Sequence, residues 1–246
     1  MNDTKGSITS TAKDILDQIK YQVSDYEFRL IDENDYPHLD LNYYKNMEQK
    51  LEKMEFRKLA DVDPMKNKYN YMDKGIFSRI MNNNSNTVCA NIVQLKLKFW
   101  FRILTWFMGY GKNKVYTFRT EFSNGMFLTT TTMSPKAFLL ELDSHYFSKQ
   151  FCSPKENLED VYEKHLRKVE EIKQSYSVVE VENDTTEKIF KSVNRYTKSA
   201  REHLQSIGWV NKEMLKLWIK DDKLRECIYQ EIKYILNQDG SNMIKK

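Results

Sequence analysis

Val115-Tyr-Thr-Phe-Arg-Thr-Glu-Phe-Ser-Asn-Gly-Met-Phe-Leu-Thr-Thr-Thr-Thr-Met133 decides the fold class. Two runs of aromatic residues and threonine flank Asn124-Gly125. Both turn residues tolerate positive φ, so the pair predicts a two-residue β-hairpin. Such a turn fixes the register. Ser123 opposes Met126, Phe122 opposes Phe127, Thr120 opposes Thr129, and Phe118 opposes Thr131. One face then holds Tyr116, Phe118, Phe122, Phe127 and Met133. The other holds Thr117, Arg119, Glu121, Leu128, Thr130 and Thr132. A slip of one residue moves a strand's whole apolar set to the wrong face, so the pairing is strongly specified.

Upstream, Val93, Leu95, Leu97, Phe99 and Phe101 alternate with Gln94, Lys96, Lys98, Trp100 and Arg102. Side chains alternate across a strand, so this reads as a strand with one apolar and one basic face. Weaker patterns extend the sheet. The expected strands are 56–62, 68–81, 87–101, 115–123 and 126–133. Their links are short, which predicts an antiparallel meander of about five strands.

Helical periodicity brackets the sheet. Thr11 and Asp14 resemble a capping box ahead of Ile15, Leu16, Ile19 and Val23. Tyr44, Met47, Leu51 and Met54 mark a second helix over 41–54. After the sheet, Ser134-Pro135 opens a helix over 137–147, and Ser153 with Glu156 opens another running to 176. Residues 177–181 read as a linker or a sixth strand. A helix over 185–207 ends at Gly208, a short one follows around Met214 and Trp218, and a last one precedes Gly240. The expected architecture is α+β: two helices, the meander packed by helices, and a helical C-terminal third. Its expected divisions are a disordered tail over 1–10, an α+β domain over 11–176, a helical subdomain or arm over 184–238, and a polar tail over 239–246.

Composition limits the classes of function. Of the 246 residues, 39 are Lys or Arg and 35 are Asp or Glu, so the net charge of +4 is mild. It does not by itself demand a nucleic-acid partner. Cys89, Cys152 and Cys227 are far apart and form no CxxC pair, which predicts reduced thiols in a cytoplasmic protein. The polar N-terminus lacks the apolar core of a secretory signal.

Motifs of chemistry are sparse. His38, His145, His165 and His203 have no metal-binding spacing. Asp32, Glu33, Asp35 and Asp40 cluster, but without the spacing and glycine of a calcium loop. Cys152 beside Ser153-Pro154 suggests a helix N-terminus, where a thiol pKa can fall. No catalytic set, cofactor motif or metal-ligand set emerges.

One segment departs from ordinary surface chemistry. Phe99 to Tyr110 is an apolar connection between strands, and connections normally run over the surface in polar residues. One expectation folds it into the core. The other makes it a docking patch for an anionic membrane surface or a protein partner, through Trp100, Arg102, Trp106, Phe107, Tyr110 and Lys112. The leading expectation is therefore a non-catalytic interaction protein, peripherally membrane-associated or bound to a protein. An alternative is nucleic-acid binding on a basic sheet face bearing Lys96, Lys98 and Arg119. A third is a hydrolase-like enzyme assembled around His145, His165 and nearby carboxylates. Nothing in the sequence sets the oligomeric state.

Overall fold

The computed structural model describes residues 2–64, 75–95, 114–133, 146–216 and 219–243. It is an α+β protein of six helices and one mixed sheet among these residues. Two compact units divide it. A sheet unit takes Tyr26–Ser134 and Asp143–Arg195, and a helical unit takes Met1–Asp25, Pro135–Leu142 and Tyr196–Lys246.

In the sheet unit, seven strands lie in chain order: β1 Arg29–Leu30, β2 Arg57–Asp63, β3 Ser78–Asn82, β4 Cys89–Gln94, β5 Lys114–Glu121, β6 Phe127–Thr131 and β7 Phe147–Phe151. The first six form the expected antiparallel meander, with one strand more than the sequence suggested. β7 runs parallel to β6. A parallel neighbour needs a long crossover, and residues 132–146 supply the length. The helix expected over 137–147 lies outside the described residues up to 145, and Phe147 belongs to β7.

The hairpin forms one residue away from its expected register. Glu121, not Phe122, opposes Phe127, and Phe118 opposes Thr130. The Gly125 N–H donates to the Phe122 carbonyl at 2.9 Å, and the Phe122 N–H donates to the Met126 carbonyl at 2.8 Å. Only Gly125 has positive φ in this turn, at 82°. A type I′ turn needs positive φ at both central residues, so Asn124-Gly125 does not form one. The observed loop matches the three-residue alternative, a turn closed by a left-handed glycine. Leu128 and Thr130 therefore share the face of Phe118, and Phe127 moves to the face of Arg119 and Glu121.

Helices cover both faces of the sheet, so its strands are buried more continuously than a half-wet meander would be. On one face lie α2, Leu41–Lys53, and α3, Leu158–Tyr176. Tyr44, Met47 and Leu51 of α2 join Phe77, Met81, Ala90, Ile92 and Phe118 in one core. Val169 and Ile172 of α3 pack on Phe122, Met126 and Leu128. On the opposite face, Ile189, Phe190 and Val193 pack on Ala60, Val62 and Ile80. They belong to α4, Thr186–Ser206, within which the two units divide after Arg195. Residues 178–181 lie along the hairpin: the Val181 N–H donates to the Glu121 carbonyl and the Ser123 N–H to the Val179 carbonyl.

Several helix ends differ from expectation for local reasons. Ser153 and Glu156 do bond as a capping pair, with Glu156 Oε1 accepting from the Ser153 N–H at 2.7 Å. They close a turn, and α3 begins at Leu158. In the helical unit, α1 spans Asn2–Gln22, where a disordered tail was expected over 1–10. Thr11 is not its cap; the hydroxyl donates back to the Ser7 carbonyl at 2.9 Å, inside the helix. α5 is Lys212–Lys216, and α6 runs Asp222–Met243, past Gly240 and through most of the expected polar tail. One helical glycine costs only about 1 kcal/mol. Leu16 and Ile19 of α1, Leu204 of α4, and Ile228 and Ile232 of α6 supply buried side chains in this unit.

Candidate functional site

His165, Arg79 and Glu121, three buried groups of the sheet unit, are each held by side chains of the same unit. His165 occupies a core position in the α3 stripe and is fully buried. Its Nδ1 lies 2.8 Å from the Thr130 hydroxyl and its Nε2 lies 3.0 Å from the Thr120 hydroxyl. Thr130 donates to Gln150 Oε1 at 3.1 Å. That direction makes Thr130 the acceptor from His165 Nδ1–H and leaves Nε2 to accept from Thr120. The ring is thus held in one neutral tautomer. Burial lowers its pKa to about 3, far from the range of proton transfer at neutral pH.

Arg79, on β3, is also fully buried. Its guanidinium meets Asp61 at 2.8 Å through two nitrogens, Glu48 at 2.6 Å, and Glu33. The rings of Tyr44 and Phe77 lie at 5.6 and 5.9 Å from its central carbon. Sequence reasoning overlooked this cage. The available signal was an arginine inside an apolar strand run, matched by Asp61 in the neighbouring run. On the other face Glu121 accepts from Arg195 at 2.6 and 2.7 Å and from Ser192 at 2.5 Å.

Two of the four residues of the acidic cluster, Glu33 and Asp40, are taken by cations of the protein. Asp32 caps a short 3₁₀ turn over Glu33–Asp35. Glu33 binds Arg79, and Asp40 pairs with Lys114 at 2.7 Å while capping α2. Among the described residues no group of three His, Cys, Asp or Glu is arranged to hold a metal ion. Cys152 lies not at a helix N-terminus but beside β7, its N–H on the Thr131 carbonyl. Burial first, then Glu156, push its thiol pKa up rather than down.

The sheet's two ends differ in kind. At one end the links are tight. β3 turns into β4 through 83–88, where Asn83 Oδ1 accepts from the Thr87 and Val88 N–H groups at 3.0 Å each. β5 turns into β6 through 122–126. At the other end, β2 leaves at Asp63 and β3 returns at Ser78, and β4 leaves at Gln94 and β5 returns at Lys114. Val62, Ser78, Val93 and Val115 are aligned across these four strands. Adjacent strands lie about 4.8 Å apart, so both long links are rooted within roughly 15 Å of each other.

The docking residues expected from sequence belong to the second of these links. Trp100, Arg102, Trp106, Phe107, Tyr110 and Lys112, and Lys96 and Lys98 of the nucleic-acid alternative, lie outside the described residues, as does His145. Arg119 is on β5, paired with Cys89 and Thr129. Its parity places it with Asn91, away from Gln94, which shares the side of Ala90 and Ile92. Thr129 and Thr131, beside it on β6, are buried.

No protein-family model, curated protein or solved structure matches the chain. No helix among the described residues is long and apolar enough to cross a membrane.

Proposed function

We propose that this is a non-catalytic interaction protein that docks through the end of its sheet bearing the two long links, on an anionic membrane surface first and on a protein partner as the alternative occupant. The observation that carries this reading is the rooting of both links at one end of the sheet. The intervening sequences, 64–77 and 95–113, hold seven basic residues and one acidic residue, Asp73. Their net +6 exceeds the +4 of the whole chain. The second link adds Trp100, Trp106, Phe107 and Tyr110 to the charge, a combination suited to a headgroup boundary. The internal use of His165, Arg79 and Glu121 also supports a binding role over a catalytic one.

Sedimentation with vesicles tests it. Vesicles with 30 % phosphatidylserine should retain the protein, and neutral vesicles should not. Trp106→Ser with Phe107→Ser should release it while leaving the thermal melt unchanged. Retention of that variant, or equal binding to neutral vesicles, would refute membrane docking. The nucleic-acid reading has less support. Arg119 stands between Cys89 and the buried Thr129 on a face partly covered by α4, which is poor access for a stacked base.

A further inference from the structure

We infer that the β1 edge of the sheet is a second docking surface, which accepts an extended, alternating apolar and basic peptide by strand addition. It is independent of the long-link reading and uses different residues. β1 ends the strand order, and its neighbour on the inner side is β2. The Ile31 N–H donates to the Asp61 carbonyl at 3.1 Å, which makes Ile31 and Asp61 a hydrogen-bonded pair. Pairing alternates along an antiparallel ladder, so Leu30 opposite Val62 turns its N–H and C=O outward. Asp32 remains extended, at φ −92° and ψ 132°, so the chain stays strand-like one step beyond. The edge thus offers main-chain groups to an incoming strand.

The side chains specify the occupant. Leu30 is 65 % exposed, a large apolar group at the edge. On the same face, Phe28 stacks on Phe190 with ring centroids 4.3 Å apart. Alternate apolar residues of an added strand would cover this strip. Beside β1 lies an open recess of about 570 Å³ lined by Arg29, Ile31, Asp32, Asp35 and Tyr36 with Leu30. Arg29 is paired to Asp63 at 3.0 Å, and Tyr36 donates to the same carboxylate at 2.9 Å. Asp32 and Asp35 therefore leave the recess with an excess of negative charge. A lysine or arginine in alternate register complements it.

A fluorescein-labelled nonapeptide alternating valine with lysine serves as the probe, titrated by fluorescence anisotropy. Saturable binding is expected to the wild-type chain. Leu30→Pro deletes an outward N–H that makes no ladder bond, and should weaken binding by tenfold or more with the melting temperature kept. Asp35→Lys should weaken it about tenfold. Absence of saturable binding overturns the proposal, as does unchanged affinity in Leu30→Pro. Equal binding of a peptide with the same composition but its lysines clustered also overturns it, since charge alone would then suffice. Self-association of the chain that Leu30→Pro abolishes would instead assign the edge to a second copy and refute the peptide partner. If Leu30→Pro fails to fold, the Leu30 amide resonance in wild-type protein decides: a shift on adding peptide supports strand addition, and an unmoved resonance refutes it.

Discussion

Arg79 grips both oxygens of Asp61, Nε on Oδ1 and Nη2 on Oδ2, each at 2.8 Å. The fork joins β3 to β2, while Glu48 brings in α2 and Glu33 the preceding turn. Removing the cation leaves three carboxylates facing one another, with Lys58 on Asp61 at 2.7 Å as the nearest remaining cation. Breaking a buried pair on one side costs about 3–5 kcal/mol. Arg79→Met should lower the urea-unfolding free energy by that amount. Arg79→Lys should recover little of it, because an ammonium cannot reproduce the two-pronged geometry.

His165 gives the fold an acid-sensitive component. Its native pKa is about 3 against an ordinary 6.5, so the unfolded chain binds the extra proton in between. Stability then rises with pH across that interval and falls as pH drops from 6.5 toward 3. The slope from one such group is at most about 1.4 kcal/mol per pH unit. Urea midpoints taken from pH 7.5 to pH 4.5 should show it. His165→Gln should flatten the curve over this interval, whatever its cost at neutral pH.

The hairpin register can be checked chemically. The Thr117 and Thr131 hydroxyls lie 2.9 Å apart. A Thr117→Cys, Thr131→Cys variant should form a disulfide under mild oxidation. A Phe118→Cys, Thr131→Cys variant, which suits the two-residue turn, should not. At the loop, a Cβ on Gly125 meets nothing within 4 Å. Gly125→Ala should therefore cost only the backbone strain of a left-handed alanine, about 1–2 kcal/mol in the thermal melt.

The sequence announced the elements more clearly than their partners. Tyr44, Met47 and Leu51 recur at helical spacing and are all buried on α2. The Asn-Gly turn marked the hairpin, yet the same dipeptide serves two loop lengths that differ by one residue in register. Nothing local chooses between them. The strand Phe147–Phe151 was hidden because its pairing is parallel and nonlocal. Arg79 and His165 were hidden for a related reason: a charged or polar residue becomes core only when partners from other elements meet it. Asp61, Glu48, Thr120 and Thr130 are 18 to 45 residues away in the chain. The proposed docking residues were legible as an anomaly of composition. The β1 edge was legible only in part, since 26–31 reads either as a short strand or as a continuation of the first helix and carries no alternation long enough to choose.

The three cysteines should differ sharply in reactivity. Cys227 is exposed on α6, and Cys152 is buried. Desolvation raises the Cys89 thiol pKa to about 11 despite the opposing influence of Arg119. Burial, with Glu156 adding to it, raises that of Cys152. Thiolate is the reacting species, so a raised pKa and poor access both slow the reaction. One thiol per chain should react rapidly with Ellman's reagent at pH 8, and the other two should follow only on unfolding. Cys227→Ser should abolish the fast phase and leave the total in denaturant smaller by one. A fast phase that survives in Cys227→Ser would mean that Cys152 or Cys89 reaches solvent in the native state.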